Sequence, residues 1–231
     1  MPTETLRADK SFRVSRATSP TVTVTFKKGT EVAFRDDGRT VSSGTVADDT
    51  TLDPMVGSGR LGIKFKGDTV VAFRDDGSVA SGTLAGDTTL DTVVGTGRRS
   101  FEFPRGTAVT FRDDGSVSSG TLDRDATLDI MVGSGRLNVG FRMGTVVTFR
   151  EDGSVSSGTL ADDTTLDTVV GTGRRGIRFK GKTVATFRDD GAVSSGTLSD
   201  DATLTTHLGG TRTHFTAGTQ LRFAQDGSVE T

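Results

Sequence analysis

The chain has 231 residues, 32% hydrophobic and 25% charged, and a net charge of −2. It has no Cys, Trp or Tyr, so disulfides and thiolate metal sites are excluded, and all 14 aromatic residues are Phe. The near-neutral charge gives no general attraction to nucleic acid or to an anionic membrane. No leader-like or membrane-spanning apolar run occurs, so a cytoplasmic, soluble protein is expected.

The first stretch with strand character is "TLRADKSFRV", Thr5 to Val14. It resembles "TLADDTTLDT", Thr159 to Thr168, so the chain opens on the end of one predicted strand and continues into another. Phe-x-x-Asp-Gly then recurs at Phe34, Phe73, Phe111, Phe149, Phe187 and Phe223, in steps of 39, 38, 38, 38 and 36 residues. Periods of this size mark solenoids, propellers or arrays. Each copy holds four predicted strands, typified by "GIRF", "TVATF", "SVSSGTL" and "TTLDTVV". They are termed strands one to four below. β-Branched residues dominate them, Gly, Asp and Lys separate them, and no segment keeps a 3.6-residue apolar period. An all-β chain is predicted.

Between strands two and three, Asp-Asp-Gly suits a three-residue hairpin loop with Gly in the left-handed region. In strand three, Val155 and Leu160 are five residues apart, which strict alternation would place on opposite faces. The intervening Ser-Ser-Gly predicts a β-bulge that restores a common face; a strand buried on both sides is the alternative. In strand two, Val147 and Phe149 share one face. The other face is small, with Val146 and Thr148, or Ala108 and Thr110. Small residues there would let another sheet approach closely.

The chain closes on "HFTAGTQLRFAQDGSVET", which supplies strands one, two and the start of three. With the N-terminal segment this makes a sixth unit. In repeat count, strand count and phase, the chain resembles β-propeller repeat proteins. That resemblance implies one closed domain over residues 1–231, a six-bladed propeller of ~38-residue four-stranded repeats with 3+1 closure. The repeats are 21–60, 61–99, 100–137, 138–175 and 176–213, with a split sixth from 214–231 plus 1–20. A closed ring would favour a monomer. The alternative is an open β-solenoid or meander, favoured by polar Glu31, Gln220 and Arg222 on the small-residue face of the terminal repeats. A longer period is also visible: "DPMVGSGRL" at Asp53 and "DIMVGSGRL" at Asp129 alternate with "DTVVGTGRR" at Asp91 and Asp167.

Four arginines of the Gly-x-Gly-Arg loops, Arg60, Arg98, Arg136 and Arg174, are the candidate ligand-binding residues; Arg99 and Arg175 follow two of them. No helix follows these loops, so helix-terminal anion binding does not apply. The loops are expected beside the Asp-Asp-Gly turns, with arginine and aspartate pairing between repeats. The paired aspartates (Asp36-Asp37, Asp75-Asp76, Asp113-Asp114, Asp189-Asp190) offer too few oxygens for calcium and read as turn formers. Asp162, Asp163 and Asp167 read the same way. His207 and His214 have no carboxylate at ligand spacing.

No catalytic residue, metal or cofactor is assigned. The expected function is a non-enzymatic ligand-binding or scaffold propeller with repeated equivalent sites between blades. Its partner would be a small molecule, a glycan in a lectin-like role, or a protein. One alternative is a purely structural or engineered symmetric repeat. The other is an enzyme with a central-channel carboxylate or metal site.

Overall fold

The computed structural model describes residues 2–15, 22–54, 62–94, 97–132, 135–170, 173–206 and 211–230, without the side chains of 92–94, 97–99, 131, 169–170 and 173–174. The described residues form 24 β-strands and no helix. No helix among them is therefore long and apolar enough to cross a membrane. Two compact units are present. The first comprises residues 1–93 and 97–121, and the second comprises residues 94–96 and 122–231.

The first unit contains β1 (Thr3–Thr5), β2 (Lys10–Arg13), β3 (Thr23–Phe26), β4 (Glu31–Phe34), β5 (Val41–Thr45), β6 (Thr50–Leu52) and β7 (Ile63–Phe65). It continues with β8 (Val70–Phe73), β9 (Val79–Thr83), β10 (Thr88–Val94), β11 (Gly97–Phe103), β12 (Ala108–Phe111) and β13 (Val117–Thr121). Its antiparallel sheet runs β1-β4-β5-β8-β9-β12-β13, and β2-β3, β6-β7 and β10-β11 form separate two-stranded ribbons. The second unit contains β14 (Ala126–Val132), β15 (Gly135–Phe141), β16 (Val146–Phe149), β17 (Val155–Thr159), β18 (Thr164–Val170) and β19 (Gly173–Phe179). It ends with β20 (Val184–Phe187), β21 (Val193–Thr197), β22 (Ala202–Thr205), β23 (Arg212–Phe215) and β24 (Gln220–Arg222). Its sheet runs β16-β17-β20-β21-β24, with ribbons β14-β15, β18-β19 and β22-β23.

The expected strands are present, but they do not pair as four-stranded blades. Strand three of each repeat bonds to strand two of the next: β5 to β8, β9 to β12, and β17 to β20. Strand four pairs with the following strand one, as in β6-β7 and β18-β19. Within each unit the repeat is thus split between the antiparallel sheet and separate two-stranded ribbons. The N-terminal strands have the character expected of them, yet β1 pairs with β4 and β2 with β3. Within residues 2–15, β1 and β2 therefore pair with strands of the repeat that follows them. These pairings support the all-β expectation but not the six-bladed propeller with 3+1 closure. The physical reason is that a strand has two edges, and alternation leaves open which neighbour takes each.

The bulge is where the hydroxyl pair predicts it. Thr110 pairs with Ser119 but Phe111 with Val117, so Ser118 is the extra residue; the same shift recurs at Ala33/Phe34 and Thr186/Phe187. It brings Val117, Gly120 and Leu122 to one buried face. There, the strand-one phenylalanines Phe26, Phe65, Phe103, Phe141 and Phe179 are wholly buried. Each packs closely against a strand-three glycine. A Cβ built on Gly120 or Gly158 would sit 2.6 Å from the Phe103 or Phe141 ring. Phe65 then meets Phe111 edge-on at 6.2 Å between centroids, as Phe141 meets Phe187 at 6.3 Å. Burying each ring contributes about 1.5–3 kcal/mol.

The covering layer is therefore on the Phe face. The opposite, small-residue face carries Val70, Val146 and Val184 at 60%, 58% and 54% exposure. The close-packed sheet expected on that side is not there, because the ribbons take the face with the larger apolar payload.

Candidate functional site

The charged residues of the Phe-x-x-Asp-Gly motif come first. In the second copy, the three-residue loop Asp75-Asp76-Gly77 is closed by the Arg74 amide on the Ser78 carbonyl (2.8 Å), and Gly77 has φ 87°. Asp76 Oδ1 accepts the Ser78 amide and hydroxyl at 2.9 and 2.7 Å. Asp114 and Asp152 do the same with Ser116 and Ser154. Burial pulls the Asp76 and Asp152 carboxyls upward. The serine hydrogen bonds, with Arg74 and Arg150 nearby, outweigh it and hold both below the ordinary value. The second aspartate is thus a turn former, as its position in the sequence predicts.

The first aspartate is held by a residue that the sequence reading passed over. Arg74, whose side chain is only 19% exposed, sends Nε to Asp113 at 2.7 Å and Nη1 to the Val79 carbonyl at 2.7 Å. Its Nη2 donates to the Phe111 carbonyl of the next repeat. Arg150 repeats this with Asp189 (2.9 Å), Val155 (2.8 Å) and Phe187. Arg35 reaches Asp75 and the Phe73 carbonyl, and Arg188 the Phe223 carbonyl. Arginine and aspartate do pair between repeats, but the arginine belongs to Phe-Arg-Asp-Asp-Gly itself. Its signal was in plain sight: Arg follows Phe in five of the six copies.

Of the candidate arginines, Arg60 lies outside the described residues, as do the side chains of Arg98, Arg99 and Arg174. Arg136 is described, at the start of β15. Nη2 donates to the Asp152 carbonyl at 3.1 Å, and Nη1 is 3.8 Å from Asp129. Arg175 donates to the Thr203 carbonyl at 3.2 Å and borders a cleft of about 220 Å³ with Thr168 and Asp226. His207 lies outside the described residues; His214 Nε2 is 3.5 Å from Asp201. Among the described residues, no three His, Asp or Glu side chains converge as metal ligands.

The turns from strand one to strand two carry a further geometry. Their opening amides are held by an aspartate from the loop before strand four: Gly67 by Asp49 (2.9 Å), Arg105 by Asp87 (2.7 Å), Met143 by Asp125 (2.7 Å) and Gly181 by Asp163 (2.8 Å). At Asp163, the Ser199 hydroxyl on its other oxygen and the Gly181 amide hold the carboxyl below its ordinary value. Beside this turn is an open cleft of about 520 Å³, bounded by Ala161, Asp162, Asp163 and by Arg178 and Lys180 to Lys182.

No protein-family model and no curated protein sequence matches the chain.

Proposed function

We propose that the chain is a non-enzymatic, open repeat scaffold that binds a ligand at loop clefts recurring along the repeats. One observation carries this reading. The arginines that follow the motif phenylalanine in five copies are engaged in contacts between repeats, as Arg74 is with Asp113 and Phe111 and Arg150 with Asp189 and Phe187. What varies from copy to copy is the turn from strand one to strand two, as Lys66-Gly67-Asp68 and Lys180-Gly181-Lys182 show, and variation there leaves the pairing intact. Absence of Trp and Tyr removes the usual stacking platforms for sugars, so recognition would rest on charge and hydrogen bonding.

The same arginine contacts favour a second reading, a purely structural repeat whose product is the array itself. A panel of neutral, acidic and sulfated glycans and of phosphorylated small molecules, read by calorimetry, separates the two. Saturable binding to any member supports the first reading. No heat with any member leaves the structural one.

A further inference from the structure

Two turns from strand one to strand two, one in each unit, share a backbone conformation and differ in charge. In the first unit the turn after Phe65 is Lys66-Gly67-Asp68, and in the second the turn after Phe179 is Lys180-Gly181-Lys182. Asp68 and Lys182 both have φ 62°, a conformation costly to any residue but glycine. Four sister turns put glycine there: Gly29, Gly106, Gly144 and Gly218. In these two turns the glycine stands one place earlier. A Cβ on Gly67 would meet Asp48 Cα at 2.9 Å, and one on Gly181 would meet Asp162 Cα at 2.7 Å.

In the first unit this position is neutralised. Lys27, the residue after Phe26 in the preceding repeat, pairs with Asp68, and Lys64 stands 3.5 Å from Asp49. In the second unit the residue at the Lys27 register is Arg142 and the residue at the Asp68 register is Lys182, so a cation replaces the acid. The ammonium groups of Lys180 and Lys182 have no hydrogen-bond or ion-pair partner among the described residues. Arg178 is shared loosely with Asp200 at 3.8 Å. The cleft also holds two acids in different states. Asp163 spends both oxygens on Gly181 and Ser199, whereas the Asp162 carboxylate is exposed.

Such a lining suits neither a bare cation nor a bare anion. A cation would meet Arg178, Lys180 and Lys182, and a small anion would meet Asp162. A molecule bearing an oxyanion beside hydroxyl donors satisfies both signs. The volume of about 520 Å³ lies within the ~300–1,000 Å³ range of small-ligand sites.

We propose that the cleft between Ala161–Asp163 and Arg178–Lys182 binds an acidic saccharide. Its carboxylate or sulfate ester lies on Lys180 and Lys182, and its neighbouring hydroxyls donate to Asp162. This rests on the ligand-binding reading above and narrows it to one cleft and one ligand class. Because the cations are exposed, affinity is modest and falls as salt rises.

Amide NMR of the full chain tests this, with digalacturonate, a sulfated disaccharide, the neutral galactose disaccharide and sodium sulfate as probes. Saturable shifts of Gly181 and Lys182 are expected with digalacturonate, the sulfated disaccharide or both, which identifies the anionic group. Lys182→Gly restores the glycine of four sister turns, so it retains the fold while weakening binding at least fivefold. Asp68→Lys in the first unit creates a second responding site at Gly67. Equal shifts with the neutral disaccharide or with sulfate alone overturn the proposal, as does full affinity in the Lys182→Gly variant. If a glycan binds but leaves Gly181 unmoved, this site fails while the wider reading survives. If no member of the full panel binds, both fail.

Discussion

The turn at Gly67-Asp68 and the turn at Gly181-Lys182 follow one backbone plan with opposite charge. Both take φ 62° at the second residue, both press a glycine against the preceding loop, and both are pinned by an aspartate, Asp49 or Asp163. In the first the charge is turned inward to Lys27, and in the second it is left outward. The difference teaches that the repeat separates its duties. Backbone and buried positions define the scaffold, and single exposed positions set what each copy presents.

The largest expected effect tests the shared half of that comparison. Gly82→Ala and Gly158→Ala each place a Cβ 2.6 Å from a buried ring, on Phe65 and Phe141. Each should destabilise by about 3 kcal/mol, the upper range for overpacking, in chemical denaturation. Gly140→Ala, whose Cβ would meet only Ala161 at 3.5 Å, should change little. A large loss at Gly140, or none at Gly158, breaks the account of the core.

Next come the arginines. Arg74→Met and Arg150→Met keep the stem and remove the hydrogen bonds to Val79 and Phe111, or to Val155 and Phe187. About 2 kcal/mol should be lost at each, because charge-assisted bonds to carbonyls are removed. Asp113→Asn and Asp189→Asn should leave stability nearly unchanged, since those carboxylates are 96% and 100% exposed. Equal losses for arginine and aspartate would show that the ion pair, not the carbonyl contact, joins the repeats.

A smaller effect separates the two turns. Lys182→Gly relieves a left-handed residue and should raise stability by about 0.5 kcal/mol. Asp68→Gly gains the same relief but loses Lys27, so its net change should be near zero in the same assay. Identical gains would make the Lys27 pair ornamental.

The smallest is the acid dependence. Asp76 and Asp152 have folded-state values depressed below the ordinary 3.8, so the folded chain binds fewer protons than the unfolded one near that pH. Their contribution is complete above about pH 4 and disappears as pH falls through the depressed values. Ser78→Ala and Ser154→Ala should flatten the loss of stability on acidification equally in the two units. An unchanged slope would mean that the serine bonds do not set these values.

Much of this was legible in residues. The period came from Phe-x-x-Asp-Gly, the turn from Asp-Gly, and the bulge from the five-residue gap between Val155 and Leu160. The partner of each strand was not, because β5 presents the same alternation to β4 and to β8. The linking arginines were visible but passed over. A charged residue after a core phenylalanine reads as exposed until its stem is seen buried against the next copy. Of the four candidate arginines only Arg136 could be followed to its partners, and the cleft at Lys180 to Lys182 was missed because two lysines in a tight turn look ordinary.

The arginine contacts also have an arrow. Arg35 reaches forward to Phe73, Arg74 to Phe111, and Arg150 to Phe187. Each copy is therefore finished by the one before it. A lesion at Arg74 should loosen the amides around Phe111 more than those on the N-terminal side of Arg74. The array carries a built-in sense of upstream and downstream that the near-identical wording of its copies conceals.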